Sequence, residues 1–174
     1  MGEHRLCREC RAGAGRTAAV RPGNGGCGSS RLPPAADICR GVARLLRAHR
    51  VAGVSEFALG NGRRADYVGL SAEGSIWIVE IKSCLADFRG DRKWPAYRAY
   101  CDRLYFAVAP GFPASALPTD AGLIIADRHG GAIVRPAPEH RLAAARRRAM
   151  TLKLARTAAL RLHVAADPGA EWDA

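Results

Sequence analysis

In the stretch "RRADYVGLSAEGSIWIVEIKS", residues 63–83, three ionisable residues stand inside apolar runs that read as buried strands: Asp66, then Glu80 and Lys82 two positions apart. An unpaired charge in such a place is expensive, so each needs a partner or a chemical task. If "RADYVGL" and "SIWIVEIKS" pair as a hairpin around Ala72–Gly74, Leu70 falls opposite Ile76, Val68 opposite Ile78 and Asp66 opposite Glu80. Side chains alternate along a strand, so Glu80 and Lys82 share one face with Asp66. Two facing carboxylates repel unless one is protonated or a cation lies between them. Mg²⁺ (or Mn²⁺) resolves the conflict, because it takes oxygen ligands such as Asp66, Glu80 and the Ile81 carbonyl and leaves room for water and phosphate oxygens. Lys82 then stands beside the attacking water, to orient or activate it or to offset charge developing on the phosphate. The plain alternative is a local Glu80–Lys82 ion pair, with Asp66 capping a turn beside Arg63 or Arg64.

The flanking elements must hold that hairpin in place. "DICRGVARLLRAHR" sets Ile38, Val42, Leu45 and Leu46 on one helical face and Arg40, Arg44 and Arg47 on the other, with Asp37 as candidate N-cap after Pro33-Pro34. "VSEFALGNG" reads as a strand running into a Gly-Asn-Gly turn, which makes the hairpin the second half of a meander. A second helix is expected over "DFRGDRKWPAYRAYCDRL", with Pro95 at a start or kink, and three short β runs follow in "YFAVAP", "GLIIAD" and "AIVRP". "EHRLAAARRRAMTLKLARTAALRLHV" closes the chain as a long helix. Its apolar stripe would be Leu142, Ala145, Ala149, Leu152, Ala159 and Leu162, against seven cations that include Arg146, Arg147 and Arg148. The order α-βββ-α-β-β-β-α is an α/β class.

The chain has 174 residues, 48% of them hydrophobic and 25% charged, a balance that suits one globular core. Its net charge of +11 favours a polyanionic partner. Residues 1–34 read as a flexible basic tail rich in Gly and Arg, residues 35–165 as one domain, and residues 166–174 as a C-terminal tail. In the first tail Cys7 and Cys10 form a C-x-x-C that His4 and Cys27 could complete as a zinc site, but the spacing to Cys27 is loose. Cys39, Cys84 and Cys101 read as reduced core thiols, and neither a membrane-spanning run nor a signal peptide is visible, so a cytoplasmic location is expected. No G-x-x-x-x-G-K-[ST], G-x-S-x-G or H-E-x-x-H is present, and the five His residues are scattered.

An acid entering one strand and E-x-K on the next, after one helix and before another, resembles the PD-(D/E)XK nuclease superfamily, with Ala65 where its name places Pro. The longer run "NGRRADYVGL...IWIVEIKSCLADFRGDRKWPAYRAYCDRLYFAVAP" is similar to the MmcB-type family of DNA-repair nucleases, a likeness that extends to about residue 163. The resemblance implies a restriction-endonuclease-like core (α-βββ-α-β) with additional C-terminal strands and a long C-terminal helix. It further implies a metal-dependent DNA phosphodiester hydrolase acting in repair or recombination, with Asp66, Glu80 and Lys82 as catalytic residues. Glu56 in "SEFAL" is a further metal-shell candidate or a solvated strand residue. Lys93 and Tyr97, four apart, look like the Gln-x-x-x-Tyr of RecB-like nucleases with Lys for Gln. With Arg63, Arg64, Arg146, Arg147 and Arg148 they are the expected DNA contacts. The rival reading is a DNA-binding accessory protein that keeps the fold without cutting. Monomer and homodimer are both left open.

Overall fold

A computed structural model describes residues 33–91 and 93–169, and in it the chain passes from Pro33–Pro34 straight into helix α1, Ala35–Ala48. Pro34, not Asp37, occupies the N-cap position, and Asp37 sits in the first turn, where its charge complements the helix dipole. The face carrying Ile38, Val42 and Leu46 is buried as its periodicity requires. Gly41 lies on that face because backbone approaches it: an added Cβ would meet the Asp127 carbonyl oxygen at 2.0 Å and the Gly130 carbonyl oxygen at 2.4 Å. A Gly41→Ala protein is therefore expected to lose about 1–3 kcal/mol to overpacking, read as a lower midpoint in thermal unfolding.

Six strands follow: β1 Val51–Ala58, β2 Arg64–Ser71, β3 Ile76–Lys82, β4 Arg103–Val108, β5 Gly122–Ala126 and β6 Gly131–Arg135. They lie side by side in sequence order, as an antiparallel β1–β2–β3 meander to which β4 and β5 add in parallel and β6 antiparallel. The β2–β3 register pairs Leu70 with Ile76 and Val68 with Ile78, the pairing that side-chain alternation and the turn prescribe.

The second expected helix is not continuous. Helix α2 covers only Leu85–Gly90, Asp91 is extended, and a 3₁₀ segment runs from Trp94 to Tyr100. Gly90 tolerates the break, and Pro95 cannot supply the amide that a helix continuing from α2 would need there.

Both faces of the sheet are covered. On one, α1 packs on Val51, Tyr67, Val79, Tyr105 and Ile124; on the other, Tyr97, Tyr100 and helix α3, Ala144–Ala166, pack on Phe57, Val68, Ile78 and Leu104. A smaller cluster surrounds Phe106, on which Phe88 and Trp94 sit edge-on at 5.6 and 5.5 Å.

Helix α3 is seated the opposite way from the expected stripe. Leu142, just before the helix, packs on the core as expected, but Ala145, Ala149 and Ala159 are exposed, as are Leu152 (56%) and Leu162 (68%), while Met150 and Leu154 are buried. Cations flank those two: Arg146 lies over the Tyr100 ring at 4.7 Å, Lys153 over Phe57 at 5.8 Å, and Arg147 is paired with Asp102. Long side chains bury their stems and reach ring faces and acceptors with their heads, so the cationic side could dock on this sheet.

Among the described residues no helix is long and apolar enough to cross a membrane, and Cys39, Cys84 and Cys101 form no disulfide, with Cys101 buried and the other two half-buried. The Cys7, Cys10 and Cys27 spacing lies outside the described residues.

Candidate functional site

The main-chain pairing of β2 with β3 runs as far as Tyr67 and Val79. Beyond that pair, side chains take over. The Ile81 amide donates to Asp66 Oδ2 at 2.7 Å, and the Asp66 amide donates to Glu80 Oε1 at 3.4 Å, so the two acids lace the strand ends together. Glu80 is 2% exposed and Lys82 5%. Lys82 Nζ lies 2.7 Å from Asp91 Oδ2 and 3.9 Å from Glu80 Oε2, which makes Asp91 its principal partner.

The electrostatics follow from this crowding. Burial first, and then the charge of Asp66, push the Glu80 carboxyl well above the usual carboxylate range, against the smaller pull of Lys82. Burial works against the Lys82 charge, but the hydrogen bond to Asp91 and the charge of Glu80 outweigh it and raise its pKa. Lys82 therefore remains an ammonium at neutral pH.

A cavity of about 550 Å³ opens here, lined by Cys39 of α1, by Glu56, Arg64, Asp66 and Asp87, and by Glu80 through Ser83. The donor set suits a hard divalent ion: carboxylate oxygens on adjacent strands, one of them buried and repelled by the other, next to the backbone of Ile81. Among the described residues no group of three or more His, Cys, Asp or Glu forms a ready-made metal cage, so such an ion would complete its shell with water or substrate oxygens. Helix α1 lines the cavity with Ala35, Ala36 and the thiol of Cys39, whose pKa is raised by burial and by Asp66 and Glu56.

The other expected residues sort by placement. Glu56 lines the cavity with its carboxylate 2.6 Å from Arg64 Nε. Arg63 donates to the Lys93 carbonyl at 2.9 Å, and Lys93 is exposed; neither residue lines the cavity. Tyr97 is 1% exposed and donates to the Arg64 carbonyl at 3.2 Å, so it supports β2 from beneath and its ring is closed to a base. Arg146 lies over Tyr100 and Arg147 is half-buried and holds Asp102, while Arg146 and Arg148 are both exposed.

Two residues escaped the sequence reading. Asp91, inside the stretch expected to form the second helix, is the partner of Lys82, and the Gly90 signal that ends α2 was the clue to its turning back. Asp102, taken as helical, is a buried anchor whose position between buried Cys101 and the first residue of β4 was a faint sign of it.

Residues 26–169 match the family model for DNA repair protein MmcB-like. The chain is 47% identical to a protein of unknown function from Silicibacter pomeroyi, over 81% of this chain and 97% of that one, with a TM-score of 0.78. No curated protein matches it. Since the family model spans most of its length, the chain belongs to the MmcB-like family of DNA repair proteins.

Proposed function

We propose that the chain hydrolyses DNA phosphodiester bonds in a reaction dependent on Mg²⁺ or Mn²⁺, as a nuclease of PD-(D/E)XK type. The observation that carries this reading is the mutual lacing of Asp66 and Glu80 on adjacent strands, with the ammonium of Lys82 beside them. Asp66 and Glu80 would hold the ion, with the Ile81 carbonyl and Glu56 at its margin. When bound, the ion supplies Lewis-acid charge to the phosphate oxygens and to the attacking water. Lys82, hydrogen-bonded to Asp91, would orient that water and offset charge on the phosphate. The DNA-repair family favours DNA over RNA, and a chromosomal substrate would be met in the cytoplasm.

Arg63, Arg64, Lys93 and the exposed Arg148 and Arg156 of α3 would hold phosphates, while Arg147 keeps α3 on the sheet. Replacing Arg148 by Ala should weaken DNA binding at all sequences and flatten the slope of log affinity against log salt by roughly one unit, with the unfolding midpoint unchanged. A fluorescence-anisotropy titration at several salt concentrations reads this directly.

The activity test is a panel of single-stranded, flap, junction and duplex DNAs, with RNA of identical sequence, incubated with Mg²⁺ or Mn²⁺ and with an Asp66→Asn control. Metal-dependent cleavage of DNA that the control lacks is the expected result. Binding without cleavage on every substrate would make the protein a DNA-binding accessory factor.

A further inference from the structure

Three acids follow one another across the meander. Glu56 falls between the pairs Ser55–Tyr67 and Phe57–Ala65, hence opposite Asp66, which the hairpin sets opposite Glu80. Glu56 has a φ of +50°, a left-handed conformation that residues with a Cβ seldom adopt, least of all within a strand. Its effect is visible in the packing. Val51 and Phe57, six apart, would share a face of a regular strand, yet Val51 packs with α1 and Phe57 packs with α3.

The inversion turns Glu56 into the cavity, and two arginines secure it. Arg161 of α3 donates to the Ser55 carbonyl at 2.6 Å and to the Glu56 carbonyl at 3.1 Å, on the outer edge of β1. Arg64 holds the Glu56 carboxylate at 2.6 Å, with the two side chains 54% and 52% exposed. A half-exposed pair of this kind is weak, and each partner has a stronger one in view: a phosphate for the guanidinium, a divalent ion for the carboxylate.

We propose that the Glu56–Arg64 pair is an exchange latch: a backbone phosphate of the nucleic acid takes Arg64, and the released Glu56 becomes a third oxygen donor to the ion held by Asp66 and Glu80. This rests on the metal-dependent reading above and supplies its regulation. Because linkage is reciprocal, nucleic acid and metal bind each other's complex more tightly than the free protein, so the site is fully assembled only on substrate.

The test is a titration of the full chain with Mn²⁺, following free Mn²⁺ by electron paramagnetic resonance, in a double-mutant cycle. Arg64→Met releases Glu56 without any DNA and should tighten Mn²⁺ about fivefold, the most that a half-exposed pair withholds. In a Glu56→Gln background the same Arg64→Met change should alter Mn²⁺ affinity less than twofold. A hydrolysis-resistant phosphorothioate duplex should tighten Mn²⁺ in the wild type more than in Glu56→Gln. Equal effects of Arg64→Met in both backgrounds would mean that Arg64 acts only as a nearby positive charge, which overturns the latch while leaving the metal site standing. Wild type that binds no Mn²⁺, with or without the duplex, overturns the metal reading itself.

Discussion

An Asp102→Ala protein is expected to be about 3–5 kcal/mol less stable than the wild type, because two backbone amides lose their acceptor at about 1–3 kcal/mol each and the half-buried Arg147 loses its partner. At this chain length that is roughly 6–20 °C in Tm. Asp102 is 2% exposed, and its carboxylate accepts from the Ile76 amide at 2.8 Å, from the Leu142 amide at 3.0 Å and from both Arg147 guanidinium nitrogens at 2.7 Å. The truncation strands two amides and frees the arginine that seats α3. Burial works against the Asp102 charge, but Arg147 and the two amides outweigh it and hold its pKa below the usual range. A depressed carboxyl stabilises the fold above its ordinary pKa, and that contribution is lost as pH falls through the folded-state value. The gap between variant and wild type should therefore narrow below about pH 4 in a series of urea melts.

A Glu80→Gln protein should go the other way. The amide keeps the shape and the oxygen that accepts from Asp66, and it removes a carboxylate that burial and Asp66 disfavour. With its folded pKa raised, wild-type Glu80 stabilises the fold below its ordinary pKa, and that stability drains away as pH rises through the raised value. The Gln protein should accordingly overtake the wild type as pH increases, by about 2–4 °C in Tm for each kcal/mol of relieved repulsion. Lys82 is not orphaned, since Asp91 still holds it. Added Mn²⁺ should raise the wild-type Tm, increasingly toward high pH where Glu80 is ionised, and leave the Gln protein unmoved. If Glu80→Gln is instead destabilising at every pH and Mn²⁺ has no effect on the wild type, Glu80 and Lys82 form a structural ion pair.

The hairpin was legible because period-two alternation and one short turn leave a single register that buries Val68, Ile76 and Ile78, and that register alone carries Asp66 to Glu80. Helix α1 was legible for a similar reason, as its apolar residues fall on one face. Helix α3 was not, since a periodic pattern names two faces without saying which meets the sheet. There the sheet offers Tyr100, Phe57, Asp102 and two carbonyls of β1, partners that suit arginine and lysine better than alanine. The reversal at Glu56 leaves no trace in local sequence because a guanidinium from residue 161 helps to hold it. Asp91 meets Lys82 only because the chain breaks at Gly90, and a short Gly- and Pro-bearing segment reads equally as one kinked helix or two fragments.

In the proposed nuclease Asp66 and Glu80 serve cutting while surface cations serve binding. The most direct measurement compares wild type and Glu80→Gln for Mg²⁺-dependent cleavage of one end-labelled branched DNA, at protein concentrations adjusted to equal occupancy in the same buffer. The Gln protein should bind as well as or better than the wild type, because a negative charge near the phosphate is gone, and should leave the DNA uncut. Full cleavage by the Gln protein would contradict the claim and assign the cutting elsewhere.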